Sequence, residues 1–233
     1  GYHTVTASDF LFSLIGKHVL HRELLTHGFD RIAPTSVGPP FREGQAGAYD
    51  TVRHRRVLFG GDSPARNETW EWDGATWSQR GGDLTRTRSG AALAYDSARQ
   101  RVVLFGGAVD GTDGTRTLEW DGTQWTVIAT AGPSARDAHA LAYDPIRGVT
   151  LLFGGRSVAG DSTDGGTGND FVSEFGDTWG WNGAVWSLLS SSGPTARYGH
   201  TMSFDARRGV MVMFGGATFN GTDEIAVRDT WEW

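Results

Sequence analysis

The 233-residue sequence contains no cysteine, which excludes a disulfide-stabilised scaffold and any cysteine nucleophile. It has a single lysine, Lys17, and no basic run beyond residues 53–56, so it lacks the concentrated positive charge that nucleic acids and anionic membranes require. Its longest apolar stretch, Phe10–Ile15, is interrupted by Ser13 and is far shorter than the roughly 18 residues of a membrane-spanning helix. We therefore expect neither nucleic-acid binding nor membrane insertion.

Glycine and tryptophan are abundant instead, with 34 and ten residues, and the formal net charge is −6. Disordered chains have few aromatic residues and a high net charge, so this composition indicates a folded protein. Many glycines together with many aromatic residues favour a β-rich fold with tight turns. The length is sufficient for one substantial domain.

Four internal repeats organise most of the chain. Each repeat contains the triplet Phe-Gly-Gly, and ten residues before its first glycine stands an aspartate that follows an aromatic residue. An arginine stands seven residues before that aromatic, and none of these spacings varies. The triplets begin at Phe59, Phe105, Phe153 and Phe214, the aspartates are Asp50, Asp96, Asp144 and Asp205, and the arginines are Arg42, Arg88, Arg136 and Arg197. We place the repeats at about 41–82, 86–132, 135–193 and 196–233.

A tryptophan-rich unit follows each Phe-Gly-Gly triplet after a segment of variable length. It reads Trp70-Glu71-Trp72 in the first repeat and Trp231-Glu232-Trp233 in the last. In the first three repeats another tryptophan comes five residues after the last residue of this unit, at Trp77, Trp125 and Trp186. All ten tryptophans belong to the pattern, so we interpret them as core residues and not as a platform for stacking sugars.

Each repeat predicts four antiparallel strands. In the second repeat the first two are Ala91–Tyr95 and Arg101–Phe105, and in the first repeat the last two are Thr69–Trp72 and Thr76–Gln79. The Asp-Gly or Asn-Gly pair between the last two strands is a strong hairpin signal. The first strand is rich in small residues, which suits a position near an axis where several sheets converge. Four-stranded repeats with a spacing of 46 to 61 residues are typical of β-propeller blades.

These residues resemble the kelch signature, in which a Gly-Gly pair follows an apolar strand and an aromatic residue and a tryptophan come later. Trp72 and Trp77 stand at the last two of these positions. The resemblance is to the bacterial kelch type related to the central domain of galactose oxidase, and it covers about residues 41–233. It implies an all-β propeller of four-stranded antiparallel kelch blades. The copper and Tyr–Cys cofactor of galactose oxidase is excluded here because the sequence has no cysteine.

Residues 1–28 match none of the four clear repeats. A helix that begins after Ser8 and extends to about His27 is one interpretation, because serine and aspartate favour the start of a helix. A degenerate fifth blade is the alternative.

The segment Phe29–Ala33 precedes Arg42 much as Trp77 precedes Arg88. We therefore predict that it pairs with Thr230–Trp233 and supplies the fourth strand of the last repeat, which would cover an exposed sheet edge. The predicted domain organisation is an N-terminal segment at 1–28 and a propeller at 29–233.

The loops that follow the Gly-Gly pairs are predicted to leave the fold at the same end as the four repeat arginines. They vary from 8 to 23 residues, at 62–69, 108–117, 156–178 and 217–230. Variable loops on a rigid scaffold usually carry function, and these contain twelve acidic and four basic residues, a net charge of −8. We predict a binding face formed by Asp110, Asp113, Asp161, Asp164, Asp170 and Asp223, with Arg42, Arg88, Arg136 and Arg197 beneath it.

The repeat arginines have two interpretations. An arginine at a fixed place in every repeat usually bonds carbonyl groups of the neighbouring blade, and we favour this role. The alternative is a ring of arginines at the mouth of the propeller that grips carboxylates or sugars bidentately. His139 and His200 each follow their arginine by three residues, so we interpret them as a feature of the repeat and not as a catalytic pair.

The sequence has no nucleophile elbow, phosphate-binding loop, dinucleotide fingerprint or metalloprotease motif. We therefore expect no cofactor and no resident metal. The alternative is calcium in loop 156–178, whose clustered Asp and Asn oxygens are calcium-type ligands although their spacing matches no EF-hand. His18 and His21, with Glu23, could share one face of a helix, but zinc would need further ligands, for which His3 and His27 are the candidates, and we do not favour this site.

Two functions from different classes remain, and the fold alone does not decide between them. The first, which we favour, is a non-catalytic kelch-type binding module that recognises a protein or glycan partner on its acidic loop face. The second is a kelch-type enzyme that acts on sugars or carboxylates and resembles the sialic acid mutarotases. A third interpretation is a structural part of a larger surface protein. An extracellular or cell-surface location is favoured over the cytoplasm.

Overall fold

The computed structural model describes residues 38–62, 67–81, 87–107, 112–158 and 171–233. These residues form β-strands, with one short 3₁₀-helix at Thr112–Thr115. None of them belongs to a helix that is long and apolar enough to cross a membrane. The predictions for residues 1–28 and for Phe29–Ala33 fall outside the described residues.

Four antiparallel sheets, one for each repeat, are the blades of a β-propeller. Blade 1 contains β1 (Ala46–Asp50), β2 (Arg55–Phe59), β3 (Thr69–Trp72) and β4 (Trp77–Arg80). Blade 2 contains β5 (Ala92–Asp96), β6 (Arg101–Phe105), β7 (Thr117–Trp120) and β8 (Trp125–Ala129). Blade 3 contains β9 (Ala140–Asp144), β10 (Val149–Phe153), β13 (Thr178–Trp181) and β14 (Trp186–Ser190). Blade 4 contains β15 (Thr201–Asp205), β16 (Val210–Phe214) and β19 (Thr230–Glu232).

Two small two-stranded ribbons arise within the loops of the third and fourth repeats. One pairs β11 (Arg156–Val158) with β12 (Phe171–Glu174), and the other pairs β17 (Ala217–Phe219) with β18 (Glu224–Ala226). The predicted all-β propeller of four-stranded antiparallel blades is confirmed, except that blade 4 has three strands among the described residues.

The first strand of each blade lies innermost. Strands β1, β5, β9 and β15 contact one another in this order from blade to blade. Their small side chains allow this close approach, since β1 begins with Ala-Gly-Ala and both β5 and β9 begin with Ala-Leu-Ala. The predicted position of the first strand near the axis is confirmed.

The second strand is buried on both faces in the central blades, as its apolar sequence predicts. In β6, Val102 and Leu104 belong to the core shared with blade 1, whereas Val103 and Phe105 belong to the core shared with blade 3. All four side chains are buried. Alternation along a strand sends successive side chains to opposite faces, so one strand contributes to two blade-to-blade interfaces.

The turn between the third and fourth strands is longer than the two-residue hairpin loop that Asp-Gly suggests. In blade 1, Trp72 pairs with Trp77 and leaves a four-residue turn at 73–76. The Asp73 carboxylate accepts the backbone N–H groups of Ala75 and Thr76 at 2.9 and 2.7 Å. Because the Asp73 carboxylate accepts these backbone N–H groups, they remain in the turn and do not pair with β3. The fourth strand therefore begins at Trp77, one residue later than predicted.

The invariant aspartate of each repeat closes the turn after the first strand. The Asp50 carboxylate accepts the N–H groups of Val52 and Arg53 and also binds the Arg53 side chain at 2.6 Å. The same guanidinium group donates to Glu71 at 2.7 Å. Asp96, Arg99 and Glu119 repeat this arrangement in blade 2, which explains the fixed spacing of the aspartate.

Tryptophans connect blade 2 to blade 1 and blade 3 to blade 2. The indole N–H of Trp120 donates to Glu71 in blade 1 at 3.0 Å, and that of Trp125 donates to Thr69 at 2.8 Å. Between blades 2 and 3, Trp181 and Trp186 donate in the same way to Glu119 and Thr117, at 2.9 and 2.7 Å.

The prediction that all ten tryptophans are core residues is correct for Trp70, Trp120, Trp125, Trp181 and Trp186, which are buried. It is wrong for Trp231 and Trp233 in blade 4, which are 39% and 40% exposed. These two lie on β19 or directly after it. No strand pairs with the outer edge of β19 in the part of the chain that the structure describes.

Candidate binding face

The Gly-Gly pairs and the repeat arginines lie at the same end of the blades, as the strand directions predict. In the first three repeats the second glycine of the pair donates its backbone N–H to the arginine carbonyl of the next repeat. These bonds, from Gly61 to Arg88, from Gly107 to Arg136 and from Gly155 to Arg197, are each 2.8 Å long. A Cβ on Gly155 would lie 2.7 Å from the Asp137 carbonyl oxygen, so a larger residue cannot make this approach.

The arginine side chains bond within their own repeat, not to the neighbouring blade as we expected. In each case Nη1 donates to the carbonyl of the first glycine of the same repeat, at 2.7 to 3.1 Å. The acceptors for Arg42, Arg88, Arg136 and Arg197 are Gly60, Gly106, Gly154 and Gly215. It is the backbone carbonyl of the arginine that links neighbouring blades. The side chain therefore fastens the Gly-Gly turn to its own blade.

Three of the four arginines also bind an acid two residues before the tryptophan-rich unit. Arg42 pairs with Glu68 at 2.7 Å, and Arg136 pairs bidentately with Asp177 at 2.6 and 3.1 Å. Arg197 pairs with Asp229 through both guanidinium nitrogens. The tryptophan after each acid donates its indole N–H to the same carboxylate.

These contacts set the charge state of the acids. Burial raises the pKa of Asp177, but hydrogen bonds from Arg136 and Trp179 outweigh it, so the pKa is lowered overall. The hydrogen bonds from Arg197 and Trp231 hold the pKa of Asp229 well below its usual range. Both carboxylates are therefore ionised at neutral pH, and each neutralises a buried arginine.

Repeat 2 departs from this arrangement. Arg116 and Leu118 occupy the positions of the acid and the tryptophan. Arg88 is buried all the same and bonds the Gly106 carbonyl at 2.7 Å. The acid–arginine pair is therefore a feature of three repeats, whereas the arginine–glycine bond is a feature of all four.

His139 and His200 are buried between blades. Their rings pack edge-on against Phe105 and Phe153 of the preceding blade, with centroids 5.8 and 5.4 Å apart. Burial, together with Arg136, lowers the pKa of His139 to about 3, and burial with Arg197 lowers that of His200 to about 4. Both imidazoles are neutral at physiological pH, and their packing supports the interpretation as a feature of the repeat.

The two ribbons are joined by hydrogen bonds on the loop side of blades 3 and 4. Glu174, at the end of β12, accepts the Thr218 hydroxyl at 2.6 Å and the Phe219 backbone N–H at 2.5 Å. Tyr198 donates its hydroxyl to Glu224 on β18 at 2.7 Å. Burial and the hydrogen bond to Glu224 raise the pKa of Tyr198 to about 12, so the phenol stays protonated. Sequence patterns gave no sign of these contacts because Glu174, Thr218, Phe219 and Glu224 come from two variable loops.

Arg156 extends the cluster toward the innermost strands. Its Nε binds the Asp137 carboxylate at 2.8 Å, and its guanidinium lies 4.8 Å from the centroid of the Tyr198 ring. Burial raises the pKa of Asp137 despite the opposing effect of Arg156. The result is a half-buried set of charged and aromatic groups at the base of the two ribbons, which we call the ribbon cluster: Asp137, Arg156, Glu174, Tyr198 and Glu224.

The predicted acidic residues are only partly covered by the described chain. Asp223 is exposed at the tip of the β17–β18 ribbon, where its backbone N–H donates to Asn220 at 2.8 Å. Asp110, Asp161, Asp164 and Asp170 lie outside the described residues, as does the side chain of Asp113. The alternative of calcium in loop 156–178 therefore stays untested, as does the expectation of no metal. Among the described residues, no three His, Asp or Glu side chains are grouped to hold a metal ion.

Comparison with known proteins supports the fold and does not extend to an activity. No family model and no curated protein matches the chain. Among solved structures, 116 chains match. One of them, the structure of YjhT, has a TM-score of 0.62 and 13% sequence identity, over 82% of this chain and 68% of that one. At such low identity the likeness establishes a β-propeller.

Proposed function

We propose that this propeller is of the kelch type and acts as a non-catalytic binding module, with a protein or glycan partner recognised on its loop face. The loop face comprises the β11–β12 and β17–β18 ribbons and the ribbon cluster at their base. The kelch assignment is supported by the Gly-Gly turns, which join neighbouring blades, and by the indole hydrogen bonds of Trp120, Trp125, Trp181 and Trp186 across them.

The observation that carries the binding proposal is the pair of hydrogen bonds that the Glu174 carboxylate accepts from the Thr218 hydroxyl and the Phe219 backbone N–H. They join two loops of different repeats and hold them in one arrangement. A surface that is already ordered loses less conformational entropy when a partner binds. The exposed tip of the second ribbon adds both charge and apolar area, through Asp223 and the 45%-exposed side chain of Ile225.

The repeat arginines are poorly placed to act as the recognition groups. Arg88, Arg136 and Arg197 are buried, and each donates to a carbonyl oxygen of its own blade. A carboxylate substrate would have to displace Asp177 from Arg136 and Asp229 from Arg197. The net negative charge of the loops favours a partner with basic or hydroxyl groups. Binding of a basic partner to these loops should weaken as the salt concentration rises.

The test is a ligand screen with glycan arrays and candidate proteins on the wild type and on a loop variant. The variant replaces residues 157–174 with a short Gly-Ser linker. It keeps Phe175 and Asp177, because the Phe175 backbone N–H bonds Gly155 and the Asp177 carboxylate pairs with Arg136. Closing a shorter surface loop has little entropic cost, so the fold is expected to remain. We expect the wild type to bind a ligand and the variant to lose it.

A matched pair of point variants locates the binding surface. Ile225→Ser removes an exposed apolar side chain from the second ribbon, and Ile146→Ser removes one from the turn between β9 and β10 at the opposite end of blade 3. We expect weaker binding only for Ile225→Ser. Equal binding by the wild type and the loop variant, or equal weakening in both isoleucine variants, would place the site elsewhere.

Turnover of a sugar or carboxylate by the wild type would favour the enzyme interpretation instead. Arg156→Gln and Tyr198→Phe are then the informative variants, because both side chains belong to the ribbon cluster. Arg136 is less informative, since its side chain is bonded to Gly154 and Asp177 of its own blade. Loss of turnover in these variants with an unchanged thermal melt would overturn the proposal of a non-catalytic module. Neither binding nor turnover in a broad screen would favour a structural part of a larger surface protein.

A further inference from the structure

Two of the four asparagines in the chain, Asn182 and Asn220, are followed directly by glycine. Asn182 begins the turn between β13 and β14 in blade 3, and Asn220 begins the turn between β17 and β18 in the second ribbon. An asparagine before glycine is chemically reactive, because glycine has no side chain that would hinder attack by its own backbone nitrogen on the asparagine side chain. The same reactive pair therefore occurs twice in the fold, in different surroundings.

The two turns have the same local hydrogen bonds. Oδ1 of Asn220 accepts the backbone N–H groups of Thr222 and Asp223 at 2.9 and 2.8 Å. Oδ1 of Asn182 accepts the two equivalent N–H groups of its own turn, both at 2.9 Å. The glycines that follow have φ angles of +95° and +96°. In both turns the side-chain carbonyl is thus held back over the residues that follow it.

The two N–H groups at Asn220 are placed to assist attack on the side-chain carbonyl. When the backbone nitrogen of Gly221 bonds to Cγ of Asn220, negative charge develops on Oδ1, which Thr222 and Asp223 already contact. Backbone donors fixed at this distance stabilise an oxyanion, as they do in acyl-transfer enzymes. The Gly221 nitrogen then gives its proton to solvent, and the Asn220 side-chain nitrogen takes up a proton and leaves as ammonia. A cyclic imide of the two residues remains.

Water opens such an imide at either of its two carbonyl carbons. Opening at Cγ gives aspartate, whereas opening at the backbone carbonyl gives isoaspartate, in which the chain continues through the side-chain carboxyl group. Overall one water is consumed and one ammonia is released, so no oxidant or other reactant is needed. Either product adds one negative charge near Asp223 at the exposed tip of the ribbon.

Side-chain packing distinguishes the two turns. A Cβ on Gly183 would lie 2.6 Å from the guanidinium group of Arg99, which two carboxylates of blade 2 hold in place. A Cβ on Gly221 would meet no atom of the described residues within 4 Å. Imide formation requires the turn to change its backbone angles. A turn packed under a fixed guanidinium group resists that change, and the turn at Asn220 does not have this restraint.

The strands that flank the two turns differ in the same direction. The turn at Asn182 lies between Trp181 and Trp186, which pair across it and are both buried. The turn at Asn220 joins two strands of three residues each, and residues 220–226 are all exposed. Local opening requires less free energy where few apolar side chains are buried. The turn at Asn220 therefore reaches the reactive conformation more often.

We propose that Asn220 is a site of spontaneous deamidation in the folded protein and that the fold protects Asn182 from the same reaction. The co-reactant is water, and the products are aspartate and isoaspartate at position 220. The reaction takes place within the chain itself, so the proposal does not depend on the proposed function or on the identity of any ligand. Its consequence is a slow change in the charge and backbone of the loop face.

The experiment incubates the full chain at mildly alkaline pH and measures conversion at both asparagines by peptide mass spectrometry. An isoaspartate-specific methyltransferase identifies the isoaspartate product. A parallel incubation in urea removes the fold and serves as the matched control. In the folded protein we expect Asn220 to convert at least about fivefold faster than Asn182, which corresponds to one further contact of hydrogen-bond strength broken on opening the Asn182 turn. In urea the two rates should become similar, because both asparagines precede glycine.

The variant Gly221→Ala tests the attacking nitrogen, because its Cβ hinders approach to Cγ of Asn220. Conversion at Asn220 should slow, conversion at Asn182 should stay unchanged, and a thermal melt establishes that the variant is folded. Three outcomes would overturn the proposal. They are equal or faster conversion at Asn182 in the folded wild type, no conversion at Asn220 in the folded chain while the chain in urea converts, and an unchanged rate at Asn220 in folded Gly221→Ala.

Discussion

Among the described residues, the interface between blades 2 and 3 and the interface between blades 3 and 4 differ in how deeply the tryptophans of the repeat are buried. Trp181 is buried and donates to Glu119, whereas its equivalent Trp233 is 40% exposed. Blade 3 also has Gly180 where blades 1 and 2 have the acceptors Glu71 and Glu119. The Arg147 guanidinium instead lies 4.6 Å from the centroid of the Trp233 ring. How deeply a tryptophan is buried therefore depends on the interface between its blade and the neighbouring blade, and not on its position in the repeat. This agrees with the stability of repeat proteins, to which each contact between neighbouring repeats contributes.

The largest expected effect is the loss of a buried indole. Trp125→Ala and Trp181→Ala should each lower the free energy of unfolding by about 3–5 kcal/mol, because each removes a fully buried aromatic ring and leaves a cavity. Trp233→Ala should cost less than about 2 kcal/mol, since much of that ring is already in contact with water. Chemical denaturation of the three variants measures the difference. Equal costs at Trp181 and Trp233 would show that the two interfaces are packed equally well.

A smaller effect is expected from the two buried histidines as the pH falls. Folding lowers the pKa of His139 from 6.5 to about 3 and that of His200 to about 4, so the unfolded chain binds protons first. Each histidine therefore leaves stability unchanged above about pH 6.5 and reduces it by about 1.4 kcal/mol per pH unit below that value. The loss continues until the pH reaches the folded pKa.

His139→Ala and His200→Ala test this pH dependence against the wild type. Alanine is chosen as the replacement because repeat 2 has Ala91 at the equivalent position. In denaturation experiments between pH 6 and 4, each variant should show a shallower loss of stability than the wild type, whatever its absolute stability. A slope identical to that of the wild type would mean that the imidazole is solvated in the folded protein.

The smallest effect distinguishes two equivalent glycines. Gly132 and Gly193 have φ angles of +151° and +135°, so alanine strains the backbone at both positions. Only at Gly132 does the added Cβ collide with an indole, that of Trp186. Gly132→Ala should therefore cost about 1–3 kcal/mol more than Gly193→Ala, the usual range for overpacking a core. A difference near zero in urea denaturation would indicate that an aromatic ring also lies against Gly193.

Fixed spacings in the sequence were sufficient to predict the blades. The distances between Arg88, Asp96 and Phe105 recur in every repeat because all three positions belong to the rigid part of the blade. The small residues of the first strand predicted its innermost position, and the apolar sequence of the second strand predicted its burial on both faces. The end of the fold at which the loops emerge also followed from strand direction.

The partners of the arginines could not be predicted in the same way. Arg42 binds an acid 26 residues later, Arg136 one 41 residues later and Arg197 one 32 residues later. The loop between the arginine and its acid differs in length from repeat to repeat. The same contact therefore occurs at a different sequence separation each time. Counting back two residues from the tryptophan-rich unit would have found Glu68, Asp177 and Asp229. The contact between Glu174 and Thr218 has no such signal, because both ends lie in variable loops.

The indole hydrogen bonds between blades have a direction along the chain. Between blades 1 and 2 and between blades 2 and 3 the acceptor precedes the donor in sequence: Glu71 and Thr69 receive Trp120 and Trp125, and Glu119 and Thr117 receive Trp181 and Trp186. During synthesis from the N-terminus, a finished blade would therefore present a carboxylate and a hydroxyl, both of which water can solvate. The next blade would bring the apolar rings, which are buried on arrival. In this order the indole N–H groups of Trp120, Trp125, Trp181 and Trp186 meet acceptors that are already in place when their own blade forms.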